Sequence, residues 1–441
     1  MNYTESSKRV FLSTGTKFPS RLIWAVAAVK RAAAEVNVRL GLLPKELGEA
    51  IVRASQEVMQ GKHHEEVVVD VFQTGSGTGL NMNLNEIIAE RASALSGRRV
   101  HPNDHVNMGQ SSNDVIPTAI RLAAIAEAES SLLPSLREFV EELDSLSRRT
   151  SSVYKAGRTH FRDALPVTMG QEFSGFRDAF QRDLRLVGAS LDEVRALPIG
   201  GTAVGTGLNS HPSFGEMVVK ELSTLTGLQL RRANPFTSMK LLTDLVSFSS
   251  SLRTVALDLY RLSQDLRLMF SGPITGLGEV DIPTQEEIAG SSIMPGKTNP
   301  VTVEATMLAC AQVMGLDHAN QVAGMFGEFE LSMGVPLMGY NVVNQVLLLS
   351  EALRKTRELV LSKLVPNEER CKRYAESSPS LITILSPVIG YDRAAEIGKR
   401  LNKGISIREA LKEMGYSEQE IEELLNMENL VKPGIPVLKG R

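Results

Sequence analysis

From Leu241 to Met269 the apolar residues Leu241, Leu245, Phe248, Leu252, Val255, Leu259, Leu262, Leu266 and Met269 recur at spacings that alternate four and three without a break. This is the seam of a long helix that packs along its whole length against other helices. A helix from Met239 to Phe270 is roughly 48 Å long at ~1.5 Å per residue, longer than a small domain is wide, so it needs comparably long neighbours. Stretches of the same kind run from about Pro117 to Arg148, Pro166 to Leu197, Pro300 to Met325 and Pro336 to Leu364, and the loops between them carry most of the Gly and Pro. Together they predict an all-α chain built on an antiparallel long-helix bundle. Strand-like runs are few, Val67 to Phe72 being the best, and strands do not alternate with helices, which argues against a doubly wound sheet. After Gly390 the helices become shorter and more charged, at Tyr391 to Asn402, Ser406 to Met414 and Ser417 to Asn426. The expected organisation is an N-terminal domain over 1–112, a central bundle over 113–387 and a small C-terminal helical domain over 388–441.

A chain of 441 residues is too long for one compact core. Its 48 basic and 51 acidic residues leave a net charge of -3, which offers no global field for nucleic acid or an anionic membrane. Any anionic ligand must therefore be held by local groups. Cys310 and Cys371 are the only cysteines, so the expectation is two buried thiols in a reducing compartment rather than a disulfide framework. No apolar run reaches the ~18 residues of a membrane span, and the polar start from Met1 to Arg9 is no signal peptide. A soluble, cytoplasmic protein is expected.

The unusual chemistry lies in polar loops in front of helices, where unpaired backbone N–H groups and the positive dipole end favour an anion. The first is Gln110-Ser111-Ser112-Asn113-Asp114, of which capping alone would explain one or two residues. The second is Gly157-Arg158-Thr159-His160, shortly before the stretch at Pro166, with a hydroxyl beside an imidazole that is read either as structural or as a proton carrier. The third runs from Gly290 through Ser291, Lys297 and Asn299 to Pro300. There Asn299 reads as an N-cap, Pro300 as the first helical residue and Glu304 as part of the first turn. Lys297 supplies the point charge that the nearly neutral chain lacks, and with Asn299 it suits a small carboxylate.

Two features invite other readings. Val67 to Phe72 leads through Gly75-Ser76-Gly77-Thr78-Gly79 into a helical stretch beginning near Asn83, the order of a dinucleotide fingerprint. The spacing is G-x-G-x-G and no βαβ unit follows, so the glycines are better read as letting backbone amides approach a small ligand. His101, Asp104 and His105 suggest a metal, but no further ligand motif supports one.

Set in order, these loops resemble the fumarase and aspartase superfamily, whose signature G-S-S-x-M-P-x-K-x-N-P stands here from Gly290 to Pro300. The resemblance extends through Gln73 to Asn85, His101 to Thr118, Gly157 to Gly175, Gly200 to Pro212 and Ile389 to Ile397. Within the superfamily, Gly157-Arg158-Thr159-His160 is similar to the G-R-T-H of the cofactor-independent, class II fumarases, where aspartases carry G-R-T-Q. Gly296 before Lys297, Asn209 to Pro212 and Met307 to Gly315 point the same way. The chain departs from the pattern in lacking the usual leader before this region. It also has Gly79-Leu80 for Gln-Ser, Ile274 for an arginine and Arg162 for a glutamine.

The resemblance implies reversible hydration of fumarate to (S)-malate, with no cofactor and no metal, on a homotetramer built around a twenty-helix core. It implies that Lys297 and Asn299, with Ser112 and Asn113, stabilise an aci-carboxylate carbanion, while Ser76, Thr78 and Thr159 fix the remaining oxygens and Ser111 is a further substrate-binding residue. Ser291 is then the base, and His160, oriented by Glu304, the acid; the opposite assignment, His160 with water as base, stays open. A second site around His101, Asn103 and Asp104 is also implied. Partners are a small dicarboxylate and further copies of the chain, with neither nucleic acid nor membrane. The alternative is an aspartate ammonia-lyase of the same superfamily.

Overall fold

A computed structural model describes residues 3–288, 290–401 and 403–435. Long helices dominate it: Ser112–Glu127 continuing through a π turn into Leu133–Arg149, then Met169–Val194, Thr243–Phe270, Val301–Met325 and Val335–Leu359. These are the five stretches that periodicity marked. The π turn at Ala128–Leu132 absorbs a local change of winding without ending the helix. Strand content among the described residues is four short two-stranded ladders. No helix among them is long and apolar enough to cross a membrane.

The chain folds as two compact units, each assembled from separate segments. One takes the chain up to Leu136 with Arg182–Leu259 and Leu308–Ala352, and the other takes Arg137–Gln181, Tyr260–Met307 and the chain from Leu353 onward. In the first unit the seam residues Leu245, Phe248, Leu252, Val255 and Leu259 are completely buried. Leu241 is the exception, at 44 % exposure, because the helix starts only at Thr243 and Leu241 precedes it. Beside the apolar seam runs a polar one: Ser249 Oγ donates to Asp317 at 2.8 Å, and Asn320 Nδ2 donates to Gln345 at 3.1 Å, tying three long helices together. Arg121, completely buried, is held by both carboxylate oxygens of Asp244 at 2.7 and 2.9 Å, a bidentate geometry that offsets the cost of its burial.

In the second unit the C-terminal helices enclose their own core, with Leu381, Ile407, Leu411 and Ile421 among its buried residues. The helices Ile407–Glu413 and Glu418–Leu424 begin where Ser406 and Ser417 form capping boxes with Glu409 and Glu420. The preceding helix is Tyr391–Leu401, and Asn402, expected as its last residue, lies outside the described residues.

Three expectations change. Val67 to Phe72 is not in a ladder: the Val68 amide is taken by the Asn83 side chain at 2.9 Å and the Phe72 amide by the Asp70 side chain at 3.0 Å, leaving only isolated backbone bonds to the preceding segment, from Val71 to the Thr16 carbonyl and from Leu12 to the Phe72 carbonyl, both at 3.3 Å. The helix expected near Asn83 starts earlier, at Thr78. The helix expected from Pro166 starts at Met169, because Pro166 pairs with Ala156 in a hairpin, where a proline is tolerated on an edge.

Candidate active site

In the first unit the glycine-rich turn feeds directly into the helix Thr78–Ser96. Gly77 lies in the left-handed region at φ 78°, and a Cβ there would meet the Ile116 side chain at 2.8 Å, so both conformation and space demand glycine. The turn leaves Ser76 Oγ 2.9 Å from Thr78 Oγ1, which in turn lies 2.7 Å from Ser112 Oγ.

Ser112 opens its own helix, capped by Ser111. The Ser111 hydroxyl accepts the Asn113 amide at 3.2 Å, and Asp114 returns to accept the Ser111 amide at 2.9 Å. Capping therefore accounts for Ser111 and Asp114 and leaves Ser112 and Asn113 for other work. Asn113 Nδ2 donates to the Ala203 carbonyl at 2.9 Å. The second Asp114 oxygen accepts the amides of Gly200 at 3.0 Å and Thr202 at 2.9 Å, holding the glycine-rich turn that follows. Burial pushes the Asp114 carboxyl up to about 6, while its backbone donors and Lys30 pull the other way. Thr78, Asn81, Asn107, Gln110, Ser111 and Ser112, together with Thr202, Ala203, Leu208 and Asn209, line a cavity of about 390 Å³. That is a size suited to a small ligand.

In the second unit His160 does not precede a helix, as its loop was expected to do. It and Phe161, both at φ 55°, form the two-residue turn of a hairpin between Tyr154–Thr159 and Arg162–Thr168. A turn with two left-handed residues is usually Asn-Gly, so His160 is a strained choice. Thr159, His160 and Phe161 are all exposed. The hairpin is anchored below its tip. Lys155, almost fully buried, reaches Glu172 at 2.7 Å and Glu279 at 3.0 Å, and Arg158 reaches the other Glu279 oxygen at 2.7 Å. Burial opposes the charge on Lys155, but the two carboxylates outweigh it and raise its pKa.

The signature loop lies in the same unit. Ser291 Oγ accepts the amides of Ile293 at 3.3 Å and Met294 at 3.0 Å. Asn299 does not cap by accepting an amide: its Nδ2 donates to the Gly290 carbonyl and so ties the two ends of the loop together. The helix starts at Val301, with Lys297 exposed just before it. The Glu304 side chain lies 4.0 Å from Arg267 Nε, and among the described residues no hydrogen bond joins it to His160. His101 caps the short Pro102–Val106 turn through its Nδ1, which accepts the amides of Asn103 and Asp104 at 3.3 and 3.1 Å.

Sequence reasoning missed Lys30, which reaches two cavity-lining side chains from beneath, and Glu279. The signal for Lys30 was its place in the run Ala27-Ala28-Val29-Lys30-Arg31-Ala32-Ala33-Ala34, where a lysine falls on an apolar stripe. Glu279 carries no local signal, since its partners are remote in sequence.

The family model described as "Lyase" matches residues 1–315, and the model described as "Fumarase C C-terminus" matches residues 381–432. A class II fumarate hydratase of Saccharolobus solfataricus is 62% identical over 98% of this chain and 99% of its own. One from Corynebacterium efficiens is 45% identical over 95% and 88%. The crystal structure of a class II fumarase from Schistosoma mansoni superimposes with a TM-score of 0.92 at 35% identity, over 97% of this chain and 94% of that one. A family model spanning more than half the chain, near full-length relatives and a matching structure agree: this chain belongs to the class II fumarases of the fumarase and aspartase superfamily.

Proposed function

We propose that the chain catalyses the reversible hydration of fumarate to (S)-malate by anti addition of water through an aci-carboxylate carbanion. The observation that carries this reading is the cavity where the hydroxyls of Thr78 and Ser112 meet at the starts of two helices. Hydroxyls and free amide N–H groups at a positive helix end are built for a carboxylate. Removing the proton from carbon 3 of malate requires the adjacent carboxylate to take up charge, and stabilising that dianion is the main demand. Lys297 and Asn299, with Ser112 and Asn113, are assigned to it, and Ser76, Thr78, Ser111 and Thr159 to holding the remaining oxygens.

Ser291 is assigned as the base. Its oxygen already accepts two loop amides, the arrangement that favours an oxyanion. His160 then protonates the departing hydroxyl; His160 acting with water as base is the competing assignment. An exposed hairpin tip and an exposed lysine loop cannot exclude water on one chain. We therefore assign the active form as a homotetramer with a twenty-helix core, in which loops from three subunits meet and Glu304 of one orients His160 of another. Exposed apolar residues on the long helices, Leu257 at 49%, Val322 at 54% and Leu308 at 74%, support such an assembly.

The test is ultraviolet absorbance of fumarate after purified protein is mixed with malate and, separately, with aspartate, with chelator and no added cofactor. Growth from malate alone is expected. Growth from aspartate alone would replace the reading by an ammonia-lyase. A monomer separated by mild denaturant that keeps full activity would overturn the tetramer.

A further inference from the structure

We propose that Lys30 is a positioning residue for this reaction, a buried ammonium that fixes Asn107 and Gln110 at the cavity wall and whose charge is answered by the bound dicarboxylate. The proposal rests on the fumarase reading above. Lys30 lies in the helix Ser20–Arg39 and is completely buried among Ala27, Ala33 and Ala34. Its Nζ donates to Asn107 Oδ1 at 2.7 Å and to Gln110 Oε1 at 2.9 Å, both of which belong to residues lining the cavity. Both acceptors are neutral amides. Among the described residues no carboxylate forms an ion pair with it.

The amides are fixed in turn. Asn107 Oδ1 also accepts Asn81 at 3.3 Å and Asn85 at 3.2 Å, while Asn107 Nδ2 donates to the Gln110 carbonyl at 3.1 Å. One ammonium thus orients the amide side of the wall, from which Ser111 and Ser112 continue. A buried charge with neutral partners only is expensive, and an uncharged side chain would support the same amides more cheaply. Set one side chain behind the wall, its field crosses little water and acts on an anion in the cavity at close to full strength. Burial lowers the Lys30 pKa to about 7, with the charge of Asp114 opposing the fall. A dianion entering the cavity raises it again. Binding must then draw protons onto Lys30 at mildly alkaline pH.

The experiment is calorimetric titration of the whole enzyme with succinate, a dicarboxylate that cannot eliminate water, at pH 8 in two buffers of different ionisation enthalpy. Wild type is expected to take up a fraction of a proton per site. Lys30→Met is expected to bind succinate about tenfold more weakly or worse, to lose the proton uptake, and to raise KM for fumarate by more than it lowers kcat. Its melting temperature should not fall, which separates a charge role from a merely structural one. Succinate affinity within twofold of wild type in Lys30→Met overturns the proposal. So does an absence of proton uptake in wild type, a result that needs no variant to fold. A wild type that turns over malate while Lys30→Met binds normally defeats the Lys30 proposal alone, whereas a wild type without turnover defeats the fumarase reading and this proposal with it.

Discussion

Thr78 Oγ1 and Ser112 Oγ lie 2.7 Å apart, and each residue is the first of its own helix. Two helix N-termini therefore converge on one point of the cavity wall. Each brings the positive end of its dipole, about half a positive charge, so the pair is at odds with itself until an anion sits between them. The contact needs the turn at Gly77, which no residue with a Cβ fits, and the cap at Ser111, which frees the neighbouring hydroxyl for a ligand.

Ser112→Ala tests that division of labour. Ser111 still caps the helix, so the melting temperature should stay close to that of wild type. The catalytic loss should be specific, with kcat/KM for malate down about 10–100-fold, as for one hydrogen bond to a charged group. Steady-state kinetics and a thermal melt on one preparation check it; an unchanged kcat/KM would remove Ser112 from the site.

His160 can be separated from its turn in the same way. Asparagine tolerates the left-handed conformation at φ 55° at least as well as histidine, but it cannot carry a proton near neutral pH. His160→Asn should therefore keep the hairpin and the melting temperature while kcat falls about 10²–10⁴-fold, the range for a lost general acid or base. One limb of the pH–rate profile should vanish with it. Wild-type kcat in this variant would return His160 to a structural role.

The bundle could be read in the sequence because its cause is local and repeated. Leu245 to Leu259 obey one spacing, and all of them are buried. Leu241 keeps the spacing but stays exposed, since periodicity does not mark where a helix begins. The signature loop was equally plain, because Ser291, Lys297 and Asn299 lie within a few residues of one another. The hairpin was hidden: His160-Phe161 is not a turn dipeptide, and what holds it, Glu279 with Lys155 and Arg158, joins segments over a hundred residues apart. Lys30 was hidden for another reason, since on paper it is an ordinary helix lysine and only the alanines around it betray burial.

Asp183 predicts an unusual dependence of stability on pH. It is completely buried on the helix Met169–Val194, its oxygens accept no hydrogen bond among the described residues, and Arg182 comes only to 3.7 Å. Burial, and then the charge of Asp258, raise its pKa from the ordinary 3.8 to about 7. The folded state thus keeps a proton that the unfolded chain releases near pH 4. This contribution to stability is whole below that pH and declines as pH climbs through 7. Asp183→Asn holds the neutral form at every pH. Its melting temperature should match wild type at pH 4 and exceed it at pH 8, where the gain is on the order of 1–3 kcal/mol. Melts across that range decide; a wild type that is relatively more stable at pH 8 would contradict the assignment.

Glu279 should be the residue on which the hairpin that carries His160 depends most. It is completely buried, and its two oxygens hold Lys155 at 3.0 Å and Arg158 at 2.7 Å, both on the strand that leads to His160. Removing that carboxylate leaves Arg158 without its ion partner and Lys155 with Glu172 alone, and breaking a buried ion group in this way costs about 3–5 kcal/mol. Glu279→Ala should therefore lower the melting temperature and release the amides of Tyr154–Thr159 and Arg162–Thr168 to hydrogen exchange. Activity should fall as well, although Glu279 is assigned no part in the chemistry, because the imidazole at the tip is only as well placed as its base. Adding Arg158→Met to Glu279→Ala removes the cation left without a carboxylate, while Lys155 keeps Glu172 at 2.7 Å, so the double variant should recover part of the lost stability, a non-additivity expected only of groups that share one network. If the two effects simply add, the ion group does not act as a unit and the hairpin is held by its ladder alone.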